Sequence, residues 1–334
     1  MQYTTLGRSG LRVSRLCLGT MNFGNSVSEE EAFKIMDCAR EAGLNFFDTA
    51  DLYGKNWGDT ETVIGKWFAK GGGRREDTVL ATKCYFGLGG SANPNDESCL
   101  SGYKIKRRLE QSMKRLGTDH VELYLMHKPD PLCPVDELVE TYQSLVYRGL
   151  IDYVGSCSFT AYDLCRFQYE SEKHHFFGLA CEQHGYNLLN RKMEVEVAGA
   201  AQKLGIGITI YTPQCGGLLG NNVFNPRPGS RSDAFKLDED STAMLKKYHA
   251  LCSDIGQTPS HVALAWVMSN PAVTCPLVGV SSAAQLEDNI YVMENVKLSQ
   301  EVLDALDEIF PPIPEFNYLR YKKETPAYVG HNKV

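Results

Sequence analysis

The chain has 334 residues, 43% of them hydrophobic, and a formal charge of -7, so it can bury a large core and is too acidic to present a general nucleic-acid surface. No uninterrupted apolar run is long enough to cross a bilayer, and the opening MQYTTLGRSG lacks the basic-then-apolar build of a signal peptide, so no membrane insertion is expected. The eleven cysteines include no CxxC pair and read as reduced thiols, which makes a cytoplasmic setting the expectation.

In chain order, the first segment is a hairpin candidate, with two short apolar stretches either side of a turn between Gly7 and Gly10. Strand candidates follow at residues 16–18, 45–48, 79–82, 121–126, 153–156, 178–182, 207–211 and 273–278, eight in all. Between them, residues 29–42, 60–69, 103–116, 135–146 and 192–204 repeat apolar positions every three or four residues, the helical period. Glycines in REAGLNFFD, KRLGTDHVELYLMH, VYRGLIDYVG and QKLGIGITIY fit helix C-caps that lead into the next strand. Such alternation predicts parallel strands joined by right-handed crossovers. The expected fold is therefore α/β: a (β/α)8 TIM barrel with an N-terminal β-hairpin and long rim loops, residues 1–334 forming one domain. Residues 221–240, rich in Pro, Gly, Asn and Ser, follow the seventh barrel strand and are expected on the rim, either folded over a ligand or as a solvated insertion. For the proline- and aromatic-rich tail at 311–334, an approach to the pocket, packing on the outside and dimer contacts all stay open.

Four segments end an apolar run in polar or reactive side chains: FFDTADLYG, LATKC, LYLMHKPD and IYTPQCGGL. Barrel enzymes keep their chemistry at the C-terminal ends of the strands, which would gather Asp48, Tyr53, Lys83 and His127 at one rim. A phenol with an ordinary pKa of about 10 donates poorly at neutral pH. A Lys83 ammonium nearby would stabilise the phenolate and lower that value. Asp48 would pair with Lys83, and His127 would donate to a carbonyl oxygen or help pass its proton. These roles suit carbonyl reduction. Taken singly, each residue has an ordinary alternative: Tyr53 as packing beside Gly54, Asp48 and Lys83 as a structural ion pair, His127 as a strand cap.

Other signals weaken on inspection. KIKRRLEQSMKRLG carries a basic face, but Ile105, Leu109, Met113 and Leu116 form an apolar one, so an outer barrel helix is expected and no nucleic-acid site. His174 and His175 are adjacent and lack the spacing of a helical zinc pair, so no metal is expected. The glycines at 71–73 do not follow a strand in the dinucleotide-fold pattern.

The chain resembles the aldo-keto reductase family, in its bacterial-type and potassium-channel β-subunit-like branch. The likeness is carried by TLGRSGLRVSRLCLGTMNFG, FFDTADLYG, ATK, KRLGTDHVELYLMHKPD, IDYVG, YTPQCGGL and PLVGVSSAAQLEDN. It implies a barrel that binds NADP(H) in extended form and a catalytic tetrad of Asp48, Tyr53, Lys83 and His127. It further implies Tyr53 as general acid in reduction and base in oxidation, with hydride passing directly to or from the nicotinamide ring. Cofactor contacts implied are Gly19, Thr20, Met21 and Asp48 at the first strand ends; Cys157, Ser158 and Gln183 at the carboxamide; and Tyr211 stacked on the ring. Thr212, Pro213, Gln214, Gly216 and Leu218 follow, and Gly279, Ser281, Gln285, Asp288 and Asn289 receive the adenosine phosphate. Arg231, in the 221–240 cofactor-side loop, stays open between a second clamp on the phosphate and a solvated loop arginine. A phosphate at the start of the SSAAQLEDN helix would suit its exposed amides, although Ser281 serves equally as an ordinary N-cap.

Two departures stand out. GSCSF puts Cys157 and Ser158 where Ser and Asn are common, and a thiol is the weaker donor. YTPQCGG replaces a commoner Tyr-Ser-Pro-Leu. The expected activity is NADP(H)-dependent interconversion of an aldehyde or ketone with its alcohol. The alternative is an NADP(H)-binding redox-sensing or regulatory subunit with slow reductase activity. The expected partner is a small-molecule carbonyl or alcohol, with Met21, Trp57 and Phe86 as further substrate contacts, and a homo-oligomer stays open.

Overall fold

The computed structural model describes residues 1–87, 91–226 and 231–313. Strands β1 (Tyr3–Thr5) and β2 (Arg12–Ser14) form the antiparallel hairpin. Eight further strands are β3 (Cys17–Gly19), β4 (Phe46–Asp48), β5 (Val79–Cys84), β6 (Val121–Met126), β7 (Ile151–Cys157), β8 (Leu179–Gly185), β9 (Gly207–Tyr211) and β10 (Val273–Gly279). Each pairs in parallel with the next, and β10 pairs with β3 to close a barrel. This is the (β/α)8 barrel expected, and every strand overlaps its predicted run. Side-chain alternation separates two apolar layers. In β6, Leu123 and Leu125 join the barrel interior, while Tyr124 and Met126 face the layer beneath the helices.

The helices are α1 (Glu29–Glu41), α2 (Asp59–Phe68), α3 (Gly102–Leu116), α4 (Val135–Tyr147), α5 (Ala161–Lys173), α6 (Val197–Leu204), α7 (Glu239–Asp254), α8 (Pro259–Ser269), α9 (Ala283–Asn295) and α10 (Gln300–Ile309). The basic segment at 102–116 is α3, and it buries Ile105, Leu109 and Leu116 against the core as an outer helix. It starts at Ser101, whose side chain accepts from the Lys104 amide, and stops at Gly117 in the left-handed region (φ 66°). The stretch 192–204 divides: Lys192–Glu194 makes a separate 3-10 turn and α6 begins only at Val197. Within 221–240, residues 231–234 form a 3-10 turn and α7 begins at Glu239, while 227–230 lie outside the described residues. Of the tail, 314–334 lie outside them too.

The hairpin closes the N-terminal end of the barrel. Leu6 and Val13 are fully buried in one cluster with Phe46, Leu123, Leu125, Cys181 and Cys275. Gly7 makes the approach possible: at φ +58° a Cβ there would lie 2.5 Å from both the Gly205 oxygen and the Gly207 nitrogen. The Arg8 amide donates to the Gly205 carbonyl at 2.7 Å. With that end filled, open space is left at the C-terminal rim.

Candidate active site

Lys83, at the penultimate position of β5, is completely buried. Its Nζ donates to Asp48 Oδ1 at 2.6 Å, to the Thr49 carbonyl at 2.7 Å and to the Tyr53 hydroxyl at 3.5 Å. The other oxygen of Asp48 accepts from Gln183 Nε2 at 2.8 Å. A buried ion pair is tolerable when its remaining donors and acceptors are satisfied, and here they are. Burial alone would lower the Lys83 ammonium, but Asp48 and Tyr53 beside it more than offset this and hold it above its ordinary value.

Tyr53 is half-buried and lines the cavity. Burial pushes the phenol up to about 12, against the downward pull of Lys83. The lowered phenol expected from the sequence is therefore corrected: desolvation of the phenolate outweighs the ammonium. His127 follows β6, and its amide donates to the Cys84 carbonyl at 3.0 Å. Burial, then Lys83 and Lys128, push its imidazole well below the ordinary 6.5. It is therefore neutral at physiological pH, with one N–H to donate. Its Nδ1 is buried with no hydrogen-bond partner. The ring stands edge-on to Tyr53 (centroids 5.9 Å apart) and to Phe86 (5.0 Å), which restricts its orientation.

These groups form one wall of a cavity of about 260 Å³. Of the residues expected at the site, Gly19, Thr20, Met21, Asp48, Tyr53, His127, Cys157, Ser158, Gln183, Tyr211, Thr212 and Gly279 line it. Lys83 lies behind them and reaches it through Tyr53. Asn22, Lys128 and Leu277 also line it and were not foreseen, nor was the Thr49 carbonyl that accepts from Lys83. They sit one residue past a recognised motif position or, for Leu277, inside a strand assigned only to the core.

The Tyr211 ring lies over Gly185, where a Cβ would come 2.9 Å from it. Ser158, in the left-handed region (φ 61°), sits with its Oγ 3.2 Å from the Tyr211 hydroxyl and accepts from Lys128 Nζ at 3.1 Å. Cys157 is buried; its thiol is pushed up to about 12 by burial and then by Glu182. Ser158 thus offers the hydroxyl on this side of the cavity, and Cys157 a neutral thiol.

The remaining expected residues lie outside the cavity. Pro213, Gly216 and Leu218 follow β9, where Gln214 Nε2 donates to the Ser260 carbonyl at 3.2 Å. Ser281 donates through its amide and its hydroxyl to Gln285 Oε1, at 2.8 and 3.0 Å. The N-cap of α9 is Ser282, not Ser281: its hydroxyl accepts from the Gln285 amide. Asp288 Oδ1 is 2.8 Å from His261 Nε2, and Asn289 is buried on α9. Arg231 opens the 231–234 turn, and its side chain lies outside the described residues. Trp57, also outside the cavity, lies 4.9 Å beneath the Arg108 guanidinium. Among the described residues no group of three or more His, Cys, Asp or Glu is placed to hold a metal ion, and no helix is long and apolar enough to cross a membrane.

The closed eight-stranded parallel barrel is the fold of the aldo/keto reductase family. The chain belongs to that family of oxidoreductases, whose model covers residues 15–310. It is 49% identical over 315 residues to the uncharacterized oxidoreductase YrpG of Bacillus subtilis (strain 168), a match that covers 93% of this chain and 96% of that protein. It is also 33% identical over 334 residues to a putative voltage-gated potassium channel subunit beta of Schizosaccharomyces pombe (94% of this chain, 95% of that one). A probable voltage-gated potassium channel subunit beta of Arabidopsis thaliana is 30% identical over 329 residues (94% and 98%).

Proposed function

We propose that this protein interconverts an aldehyde or ketone with its alcohol using NADP(H), and that Tyr53 gives and takes the proton. The observation that carries this reading is the shared Lys83 ammonium, 2.6 Å from Asp48 and 3.5 Å from the Tyr53 hydroxyl at a cavity wall. At neutral pH the Tyr53 phenol is protonated and can donate to an alkoxide forming at the substrate carbon. Lys83 then faces the phenolate left behind, and Asp48 and the Thr49 carbonyl keep that ammonium in place. The neutral His127 donates a hydrogen bond to the same substrate oxygen, a preorganised donor that gains strength in a site shut off from water. In oxidation the proton returns to Tyr53.

The lining suits a flat, amide-bearing ring: it offers the Tyr211 aromatic ring, the Ser158 hydroxyl 3.2 Å from the Tyr211 hydroxyl, and the Gln183 amide, while Gly19 and Gly279 bring backbone without side chains. When bound there, the nicotinamide ring supplies or accepts the hydride. Cys157, Ser158, Gln183 and Tyr211 would hold the ring, with Gly19, Thr20, Met21 and Gly279 beside it. Thr212, Pro213, Gln214, Gly216, Leu218, Arg231, Ser281, Gln285, Asp288 and Asn289 are proposed for the phosphate-bearing end, on the family likeness. Residues 1–334 would act as one catalytic domain.

The test is loss of NADPH absorbance against a panel of aldehydes, ketones and keto sugars, with Tyr53→Phe as the paired variant. Turnover in the variant should fall by about 10²- to 10⁴-fold while NADPH still binds by fluorescence titration. Wild-type turnover in Tyr53→Phe would remove Tyr53 from the acid role. The potassium-channel-subunit relatives favour one second reading, a regulatory subunit with slow reductase activity. Partner binding that depends on the oxidation state of the cofactor, without rapid turnover of any metabolite, would select it.

A further inference from the structure

We propose that Lys128 is a substrate-reading residue and that the carbonyl compound taken by this protein carries an anionic group, a carboxylate or a phosphate, that pairs with its ammonium. This rests on the carbonyl-reductase reading above and narrows its substrate class.

Lys128 directly follows His127, is half-buried and lines the same 260 Å³ cavity. Of the other buried cations, Lys83 has Asp48, Arg108 has Asp51 and Arg115 has Glu61, while the Lys104 ammonium is met by the carbonyls of Tyr85, Phe86 and Glu97. Among the described residues Lys128 forms no ion pair, and its Nζ bonds to the neutral Ser158 hydroxyl. Asp48 and Lys83 cancel one another and His127 is neutral, so among the described residues that line the cavity the net charge is that of Lys128. A cation in a low-dielectric concavity, without a counter-ion, attracts anions far more strongly than one in open water.

The ammonium is also held in place. Ser158, its acceptor, sits at φ 61° and is bridged to the Tyr211 hydroxyl at 3.2 Å. A compact ammonium with further donors to spend suits a single carboxylate or phosphate oxygen and does not require the flat two-point geometry of a guanidinium. Lys128 and the carbonyl-facing His127 are consecutive, so the anionic group and the reacting carbonyl would be read by adjacent residues.

Two anions could meet Lys128, one on the substrate and one among the phosphates of the cofactor, and the experiment separates them. Calorimetric titration of the protein saturated with NADP+ compares two aldehyde acids with their methyl esters: succinic semialdehyde and terephthalaldehydic acid. The same pairs are assayed for kcat/KM with NADPH. Wild type, Lys128→Met and Lys128→Arg are tested, together with NADPH affinity.

The expected result is an acid-over-ester preference of about ten- to a hundred-fold, which weakens with added salt, collapses in Lys128→Met and returns in part in Lys128→Arg. Equal affinity for acid and ester in the wild type, or a preference unchanged in Lys128→Met, overturns the proposal. Loss of NADPH affinity in Lys128→Met without any acid preference overturns it as well and gives the ammonium to the cofactor phosphates. An acid preference that depends on Lys128 with no NADPH oxidation by any aldehyde would uphold the anion site and sink the reductase reading.

Discussion

Two aspartates three residues apart, Asp48 and Asp51, each hold a buried cation, yet the pairs meet different surroundings. Asp48–Lys83 and Asp51–Arg108 have nearly equal lengths, 2.6 and 2.8 Å, and no side chain in either is more than 3% exposed. The difference lies in what else each pair meets. Both oxygens of Asp48 are occupied, by Lys83 and Gln183, and the ammonium has a third neighbour in the Tyr53 hydroxyl at the cavity. Asp51 has one oxygen with no partner, and its cation lies over the Trp57 ring, away from the cavity. Burial, opposed by Arg108, pushes the Asp51 carboxyl up to about 6. The two pairs are joined through the backbone, since the Asp51 amide donates to the Lys83 carbonyl at 3.2 Å. An ion pair at a barrel rim thus takes its role from the group its cation faces.

The comparison breaks most sharply at Lys83. Lys83→Met should lower kcat by about 10³-fold, because the Tyr53 phenolate loses its counter-charge. It should also destabilise the fold by about 3–5 kcal/mol by stranding Asp48, to be read from denaturant unfolding. Arg108→Met should cost about 3 kcal/mol with kcat changed only a few-fold. If both variants lose turnover equally, the distinction between a catalytic and a structural pair fails.

The pH dependence sharpens the contrast further. Between 3.8 and about 6 the folded chain keeps a proton on Asp51 that the unfolded chain has released. The stability contributed by this group is therefore fully present below the unfolded value and is lost as pH rises through the folded one. The unfolding free energy of the wild type minus that of Asp51→Asn should fall by about 2 kcal/mol between pH 4 and 7. A flat difference across that window would mean that Arg108 keeps Asp51 ionised throughout.

The strands were legible because each is a short apolar run bounded by glycine or polar residues, and barrel closure makes that pattern repeat. Helices were read less evenly. α8 buries six consecutive residues, Val262 to Val267, so no helical period survives in its sequence. α5 did carry a signal that went unused, the capping box of Thr160 and Asp163. At the site, residue types at strand ends pointed to the cluster of Asp48, Tyr53, Lys83 and His127. The state of the phenol was not legible, because desolvation depends on how deep the hydroxyl sits. Lys128 was missed for a related reason: β6 ends at Met126, and beyond it no pleat says which way a side chain turns.

The packed barrel interior, capped beneath by the hairpin turn at Gly7 against the Gly205 and Gly207 backbone, gives the molecule the topology of a vial and not of a pipe. Whatever enters at the rim leaves by the rim. Two occupants that share such a vessel form a stack in which the deeper one is loaded first and freed last. The order of binding and release would thus be set by the packed interior on which the site rests.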